Sequence, residues 1–402
     1  MSADRPQSLV VFSDDWGRHP SSCQHLVRQL LPEFRVLWVN TIGTRTPRLD
    51  WNTVKRVAEK LKQWRRTDAA VPTETHASLE VINPRMWPWF TRAVDRRFNA
   101  WLLERQLTPL IRQLPGPVTA LTTLPITADL TNRLPVDRWV YYCVDDFGEW
   151  PGLDAQTLRT MDRDMIARAD EIVAVSEHLQ NIIARQSRAS SLLTHGVDLD
   201  HWSTATPNHS SLHGDERPEF PELPTGPLAV FWGVIDRRLD TAMLTTLSRE
   251  LHEGHIVLAG PQQDPDPAIV SLPNVVTLGA VPFGVLPALA ARADVLIMPY
   301  ADLPVTRAMQ PLKMKEYLAT GRPVVVSELP AVTPWQDCMD VCRTADQFAA
   351  AVRSAITGGL SADRKTARKR LQHESWAAKA RTLQQALGSK PAAVDQQLAC
   401  MP

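Results

Sequence analysis

Short apolar runs rich in Val, Ile and Leu recur along the 402 residues and alternate with stretches of helical period. Leu9–Ser13, Val36–Asn40, Val118–Leu121, Trp139–Val144 and Ile172–Val175 form a first series, with amphipathic segments such as His25–Leu31 and Leu158–Ala169 between them. A second series comprises Leu228–Trp232, His255–Ala259, Val275–Leu278, Val295–Pro299 and Pro323–Ser327. A strand buried on both faces reads as a continuous apolar run, and parallel neighbours need a crossover, usually a helix. The pattern therefore predicts an α/β chain with two doubly wound parallel sheets. Ser203–Pro227, rich in Pro, His, Ser and Gly, lacks an apolar period and reads as the variable part of the connection. Ala362–Leu387 is helical in pattern, and the expected domains are 1–202 and 227–365, with 203–226 as linker, a helical segment over 366–388 and a disordered tail over 389–402.

Bulk properties remove several functions. Lys plus Arg equals Asp plus Glu at 44 each, so net charge gives no reason to expect nucleic acid as a partner. The five cysteines are scattered; Cys338 and Cys342 lie four apart, but no second Cys or His pair nearby completes a zinc site. A reducing, cytoplasmic compartment is the expectation. The N-terminal MSADRPQS has no basic region leading into a long apolar stretch, so no signal peptide is expected. No run approaches the ~18 apolar residues of a membrane span.

Candidate chemistry lies where strands end. After Val295–Pro299 a loop leads into Lys313-Met-Lys-Glu316-Tyr-Leu-Ala, which opens a helix that stops at Gly321 before Pro323-Val-Val-Val326. Lys313 and Glu316 thus fall near a helix N-terminus outside the carboxyl end of a parallel strand, where ligands of open α/β sheets bind and anions are favoured. A lysine for a phosphate and a carboxylate for ribose hydroxyls suit a nucleotide-sugar. After Leu228–Trp232 comes Gly233-Val-Ile-Asp236-Arg237-Arg238; Gly233 permits close backbone approach and the arginines can hold a diphosphate bidentately. Arg238 and Lys313 can stabilise a departing diphosphate electrostatically. Asp145 and Asp146 close the run Tyr141-Tyr142-Cys143-Val144, and Asp146 is the candidate to hold an acceptor hydroxyl. The D-x-D strings Asp162–Asp164, Asp198–Asp200 and Asp264–Asp266 do not follow a strand as a metal-diphosphate site requires, so no metal or other cofactor is expected.

The P-L-K-x-x-E-Y-L-A-x-G-x-P-V-V string over Pro311–Val325 resembles the C-terminal signature of GT-B glycosyltransferases, closest to the GT4-like, teichuronic acid biosynthesis type (glycosyltransferase family 1 group). That group places two glutamates eight positions apart; Glu316 matches the second, and Ala308 stands at the first. The resemblance implies the GT-B fold, two Rossmann-like domains facing a cleft, with a closing helix around His373–Trp376 that crosses back to the first domain. It implies a retaining transfer of a sugar from a UDP- or GDP-linked donor to a saccharide or lipid-linked glycan in cell-surface polysaccharide synthesis. Glu316 would hold ribose, and Arg238, with Arg237 beside it, and Lys313 the diphosphate. Gln310 and Leu312 join them at the helix entry, and Gly260 and Val281 line the base pocket. Gly17, Arg18 and His19, after the first strand, would approach sugar and phosphate. Thr194-His195-Gly196-Val197-Asp198 is similar to the family's exit from the first domain, Gly196 supplying an unusual backbone angle. A catalytically silent binding or assembly protein, or a nucleotide-sugar epimerase, on the same fold are the alternatives.

Two basic segments carry apolar residues at helical spacing. Asn52–Arg66 has Val54, Val57, Leu61 and Trp64 among six Lys and Arg, and Pro84–Arg105 has Trp87, Trp89, Phe90, Phe98 and Trp101 among five Arg. Basic helices with interfacial tryptophans suit an anionic membrane surface, which places the chain peripherally on the inner face of the plasma membrane.

Overall fold

The computed structural model describes residues 8–17, 21–40, 76–150, 153–203 and 222–388. The chain divides into two compact units, one formed by residues 1–193 with 380–402 and the other by Thr194–Lys379. The division falls at Thr194, ahead of residue 203, because the short helix Leu199–Ser203 belongs to the second unit: Trp202 stacks on Trp232 with ring centroids 5.2 Å apart.

Among the described residues of both units the strands are all parallel, and the first unit holds seven: β1 (Ser8–Ser13), β2 (Arg35–Asn40), β3 (Leu79–Ile82), β4 (Val118–Thr122), β5 (Arg138–Cys143), β6 (Glu171–Ala174) and β7 (Ser191–Leu192). Their order is β3-β2-β1-β4-β5-β6-β7. The second unit holds six: β8 (Leu228–Trp232), β9 (His255–Ala259), β10 (Val275–Gly279), β11 (Val295–Met298), β12 (Val324–Ser327) and β13 (Asp340–Cys342), in the order β10-β9-β8-β11-β12-β13. All pairings are parallel. Both orders run outward one way from the first strand and then outward the other way. The reversal puts a topological switch point between β1 and β4, and another between β8 and β11.

The expected strands form within two residues of their predicted ends. β3, β7 and β13 were missed because they sit at sheet edges with few fully buried residues, so no long apolar run marks them. The segment Pro84–Arg105 is helical only from Ala93, in a helix that runs to Ile111. Pro88 removes a backbone donor and holds Trp87 extended, and Asn99 then bonds Trp87 N–H and the Trp87 and Trp89 carbonyls. The other basic segment, 52–66, lies outside the described residues. The single helical pattern expected over Ala362–Leu387 is broken: helices Ala362–Ala367 and Trp376–Gly388 flank a 3-10 stretch, Arg368–Glu374. Val197 N–H takes the Glu374 carbonyl at 2.9 Å and bridges Ser375, which pulls the chain out of helix there. Gly196 follows a different logic from the one its motif suggested. Its φ is outside the left-handed region; an added Cβ would meet the Trp376 ring at 2.8 Å, so glycine is needed for space.

Backbone freedom matters most at Gly233 (φ 136°) and Gly260 (φ 153°), which follow β8 and β9. A Cβ on Gly260 would run into the Gly233 carbonyl, and one on Gly233 into Lys313 Nζ. Gly260→Ala is expected to cost at least ~1 kcal/mol, since both angle and space oppose it; a denaturant midpoint measured beside the parent's checks this.

Candidate functional site

The loop after β8 and the loop after β11 diverge at the switch point of the second unit and are stitched together by backbone bonds. Asp240 N–H donates to Pro299 O at 2.8 Å, and Ala301 N–H to Arg238 O at 2.8 Å. Asp240 also caps the next helix by accepting from Met243 N–H at 2.9 Å, which fixes where the first loop ends. Into this frame the helix Leu312–Ala319 brings Lys313 and Glu316, close to one face of that helix at their three-residue spacing. Pro311 at its N-cap position makes no side-chain cap, leaving first-turn N–H groups directed out of the helix end.

Lys313 Nζ donates to Tyr300 Oη at 2.6 Å and stands 4.4 Å from the Phe231 ring centroid. Its place beside Gly233 depends on the missing Cβ. Arg238 is buried; its guanidinium is held by Asp236 at 2.8 Å and lies 5.9 Å from the Tyr300 ring. Two cations thus bracket Tyr300, Lys313 at its hydroxyl and Arg238 beside its ring. Glu316 Oε2 accepts from Trp232 Nε1 at 3.1 Å. Burial pushes its carboxyl up to about 7, outweighing the Trp232 bond and the nearby Lys313 charge, which act the other way. Trp232 is itself positioned by Tyr317, whose Oη accepts its backbone N–H at 3.0 Å.

Gly233, Arg238, Lys313 and Glu316 are therefore brought into one neighbourhood, with Gly260 packed behind Gly233. Arg237 is not drawn in: it is exposed and paired with Asp264 at 2.9 Å. Gln310 and Leu312 are half-buried on either side of Pro311. Val281, in the loop after β10, is half-buried against the core, near Phe283, which stacks on His201 at 4.2 Å. Ala308 is buried, 1% exposed, at the end of the short helix Pro304–Ala308. Sequence reasoning missed Tyr300 and Trp232. A Tyr following a strand-ending Pro and a Trp closing a strand carry the same pattern as core residues, and only the geometry distinguishes them.

In the first unit Asp146 follows β5 and accepts from Gly148 N–H at 3.1 Å. Burial, then Glu149, raises its pKa against the Gly148 bond and the charges of Arg159 and His178. Behind it Tyr141 Oη donates to Asp162 Oδ1 at 2.6 Å, and burial lifts the Asp162 carboxyl to about 6. Gly17, after β1, donates its N–H to Gln24 Oε1 at 3.1 Å, and Gln24 in turn bonds Asp14 at 2.9 Å. Arg18 and His19 lie outside the described residues. Five of the six D-x-D carboxylates are engaged by protein groups: Asp162 by Tyr141, Asp164 by Arg96, Asp198 by His201 N–H, Asp264 by Arg237, and Asp266 by Thr241 and Ala268.

Residues 231–357, which contain the whole of this arrangement around β8 and β11, match the family model "Glycosyl transferases group 1". The matched residues lie within the second unit. A Bacillus subtilis (strain 168) protein described as a teichuronic acid biosynthesis glycosyltransferase, TuaH, is 27% identical over 191 residues; the match spans 45% of this chain and 46% of that one, less than half the length of that relative. Among solved structures, sucrose-phosphate synthase from Thermosynechococcus elongatus is similar with a TM-score of 0.69 at 15% identity, over 94% of this chain and 98% of that one. Anabaena HepE in complex with UDP-glucose gives 0.64 at 12% identity, over 95% and 100%. An alpha,alpha-trehalose-phosphate synthase (UDP-forming) from Burkholderia vietnamiensis gives 0.66 at 14% identity, over 96% and 98%. The fold is GT-B, as the two doubly wound sheets and these likenesses agree.

The Trp232 indole reports on Glu316 directly. Its N–H resonance is expected to titrate with a midpoint near pH 7, and Glu316→Gln to abolish that titration. A resonance flat between pH 5 and 8.5 would contradict the buried, raised carboxyl.

Proposed function

We propose that the chain is a glycosyltransferase that moves a sugar from a UDP- or GDP-linked donor to a saccharide or lipid-linked glycan hydroxyl. The observation that carries this reading is the gathering of Lys313, Tyr300 and Arg238 at the β8/β11 switch point of a group 1 domain. Cleaving the donor leaves a nucleoside diphosphate whose new negative charge needs fixed positive charge beside it. Two held cations meet that need without a metal, because they need not reorganise as the charge develops. Glu316, with one oxygen fixed by Trp232, presents its carboxyl toward ribose hydroxyls. Gly233 allows a phosphate to approach the backbone, and the region of Gly260, Val281 and Phe283, after the neighbouring strands, is where a base would be read. Asp146, with its raised pKa, is the group for the acceptor hydroxyl. Retention of configuration and a place in cell-surface polysaccharide synthesis rest on the resemblance to the group and on the TuaH relative. The UDP-glucose complex of the HepE structure favours a uridine donor.

Lys313→Ala is expected to lower turnover about a hundredfold, equivalent to ~3 kcal/mol, with an unchanged melting temperature. Slow donor hydrolysis in the absence of acceptor, followed as release of free nucleoside diphosphate, provides the assay. Parent and variant hydrolysing at equal rates would refute the leaving-group role.

The proposed working place is the inner membrane surface. No helix among the described residues is long and apolar enough to cross a membrane. Trp87, Phe98 and Trp101 are 39%, 43% and 44% exposed and form a ladder of ring contacts, with Arg105 over Trp101 at 5.2 Å. Such exposed aromatic patches amid arginines suit an anionic interface. Sedimentation with anionic vesicles is expected at low salt, weakened by salt and by Phe98→Ser with Trp101→Ser. Absence of binding at low salt would remove the membrane from the proposal.

A further inference from the structure

Between Lys313 and Glu316, on the opposite side of their helix, lies a second lysine that touches nothing in the donor site. At 100° per residue, Lys315 points about 160° away from Lys313. It is 2% exposed, a burial that a lysine tolerates only with full compensation. Its ammonium has three donors and three partners: the His195 carbonyl at 2.5 Å, Thr194 Oγ1 at 3.2 Å and Glu374 Oε2. Glu374 Oε2 also takes Lys379 Nζ at 2.7 Å, and Lys379 donates to Thr194 Oγ1 at 3.0 Å. The ring of Trp335 lies 5.7 Å from Lys315 Nζ and also carries Arg370 at 4.6 Å. Thr194 and Lys379 are the first and last residues of the second unit. The two ends of that unit are thus tied to each other and to the back of the helix whose front holds Lys313 and Glu316.

We propose that Lys315 is a positioning residue: held by Glu374, Thr194 and the His195 carbonyl, it fixes the register and roll of the helix Leu312–Ala319 and thereby places Lys313 and Glu316. Met314, Tyr317 and Leu318 pack the same helix into the core, and Lys315 adds to them the ionic tie on its back face. Loss of the ammonium's charge leaves Glu374 with Lys379 alone and releases the back of the helix. Burial lowers the Lys315 pKa to about 8 against the opposing pull of Glu374, so this release falls within an accessible range. Glu374 stays ionised throughout, since Lys315 and Lys379 overcome its burial and hold its pKa below the usual carboxylate value. The sign follows: donor-site geometry is intact below about pH 8 and is lost as pH rises through it. The acidic side of the profile belongs to Glu316, near 7.

The proposal rests on the nucleotide-donor reading, and its test separates the two. Calorimetric titration of UDP between pH 7.5 and 9.5 is made on the parent, Lys315→Arg, Lys315→Met and Lys313→Ala. The expected parent affinity falls about fivefold or more across that range. Lys315→Arg, which keeps its charge, holds its affinity at pH 9.5, and Lys315→Met is weak and flat with pH. In parallel, the Trp232 indole resonance, which needs no nucleotide, shows in the parent a further shift centred near pH 8 beyond the Glu316 step near 7, and in Lys315→Met the Glu316 step alone. Should Lys315→Met fail to fold, the parent and Lys315→Arg profiles alone decide. A parent UDP affinity unchanged across that range with no indole shift beyond the Glu316 step, or parent-like UDP binding by folded Lys315→Met, overturns the positioning role while Lys313→Ala still tests the donor site. UDP binding by none of the chains, with the indole shift present, removes uridine from the donor reading and leaves the positioning role standing.

Discussion

Two adjacent parallel strands, β8 and β11, whose crossovers leave in opposite directions, create the opening on which the proposed donor site depends. Beside it, past the carboxyl ends of β8 and β9, Gly233 and Gly260 meet backbone to backbone. That contact is possible only without Cβ atoms, and it makes room for Lys313 Nζ against Gly233 and the Phe231 ring. Sheet order, two glycines and one lysine thus meet at a single point, where a Cβ on either glycine would collide with its neighbour.

Electrostatics within that opening are arranged by burial. Arg238 has Asp236 as its carboxylate partner, while Lys313 is held by a hydroxyl and aromatic faces, which leave its charge less neutralised. Glu316 is held away from its ordinary ionisation by desolvation, so its charge is responsive to whatever enters the site. On the opposite side of the same helix, Lys315 and Glu374 form a dense, saturated network. One eight-residue helix therefore separates groups placed for a ligand from groups fully committed to the fold.

Much of this was legible before the structure. Ten strands were marked by continuous apolar runs, since strands buried on both faces must read that way. Gly233, Arg238, Lys313 and Glu316 stood at strand ends and a helix entry, where α/β sheets bind ligands. What stayed hidden has a physical reason in each case. Tyr300 and Trp232 look like core residues because they are core residues that also turn one polar atom to the site. Lys315 was masked by its neighbours, since a Lys-x-Lys pair on a helix reads as two solvated charges until the distant partners Thr194 and Glu374 are seen. The expected helix over Pro84–Arg105 and the continuous one over Ala362–Leu387 fail for local reasons: Pro88 in the first, and the Val197 bond to Glu374 in the second.

The most direct test of the central claim is calorimetric titration of UDP, GDP and ADP into the protein with EDTA present, repeated on Lys313→Ala and Arg238→Ala. A donor site built from these two cations predicts selective binding of one nucleotide, unaffected by EDTA and weakened at least tenfold by each substitution. Binding of no nucleotide, or binding that neither substitution changes, would contradict it.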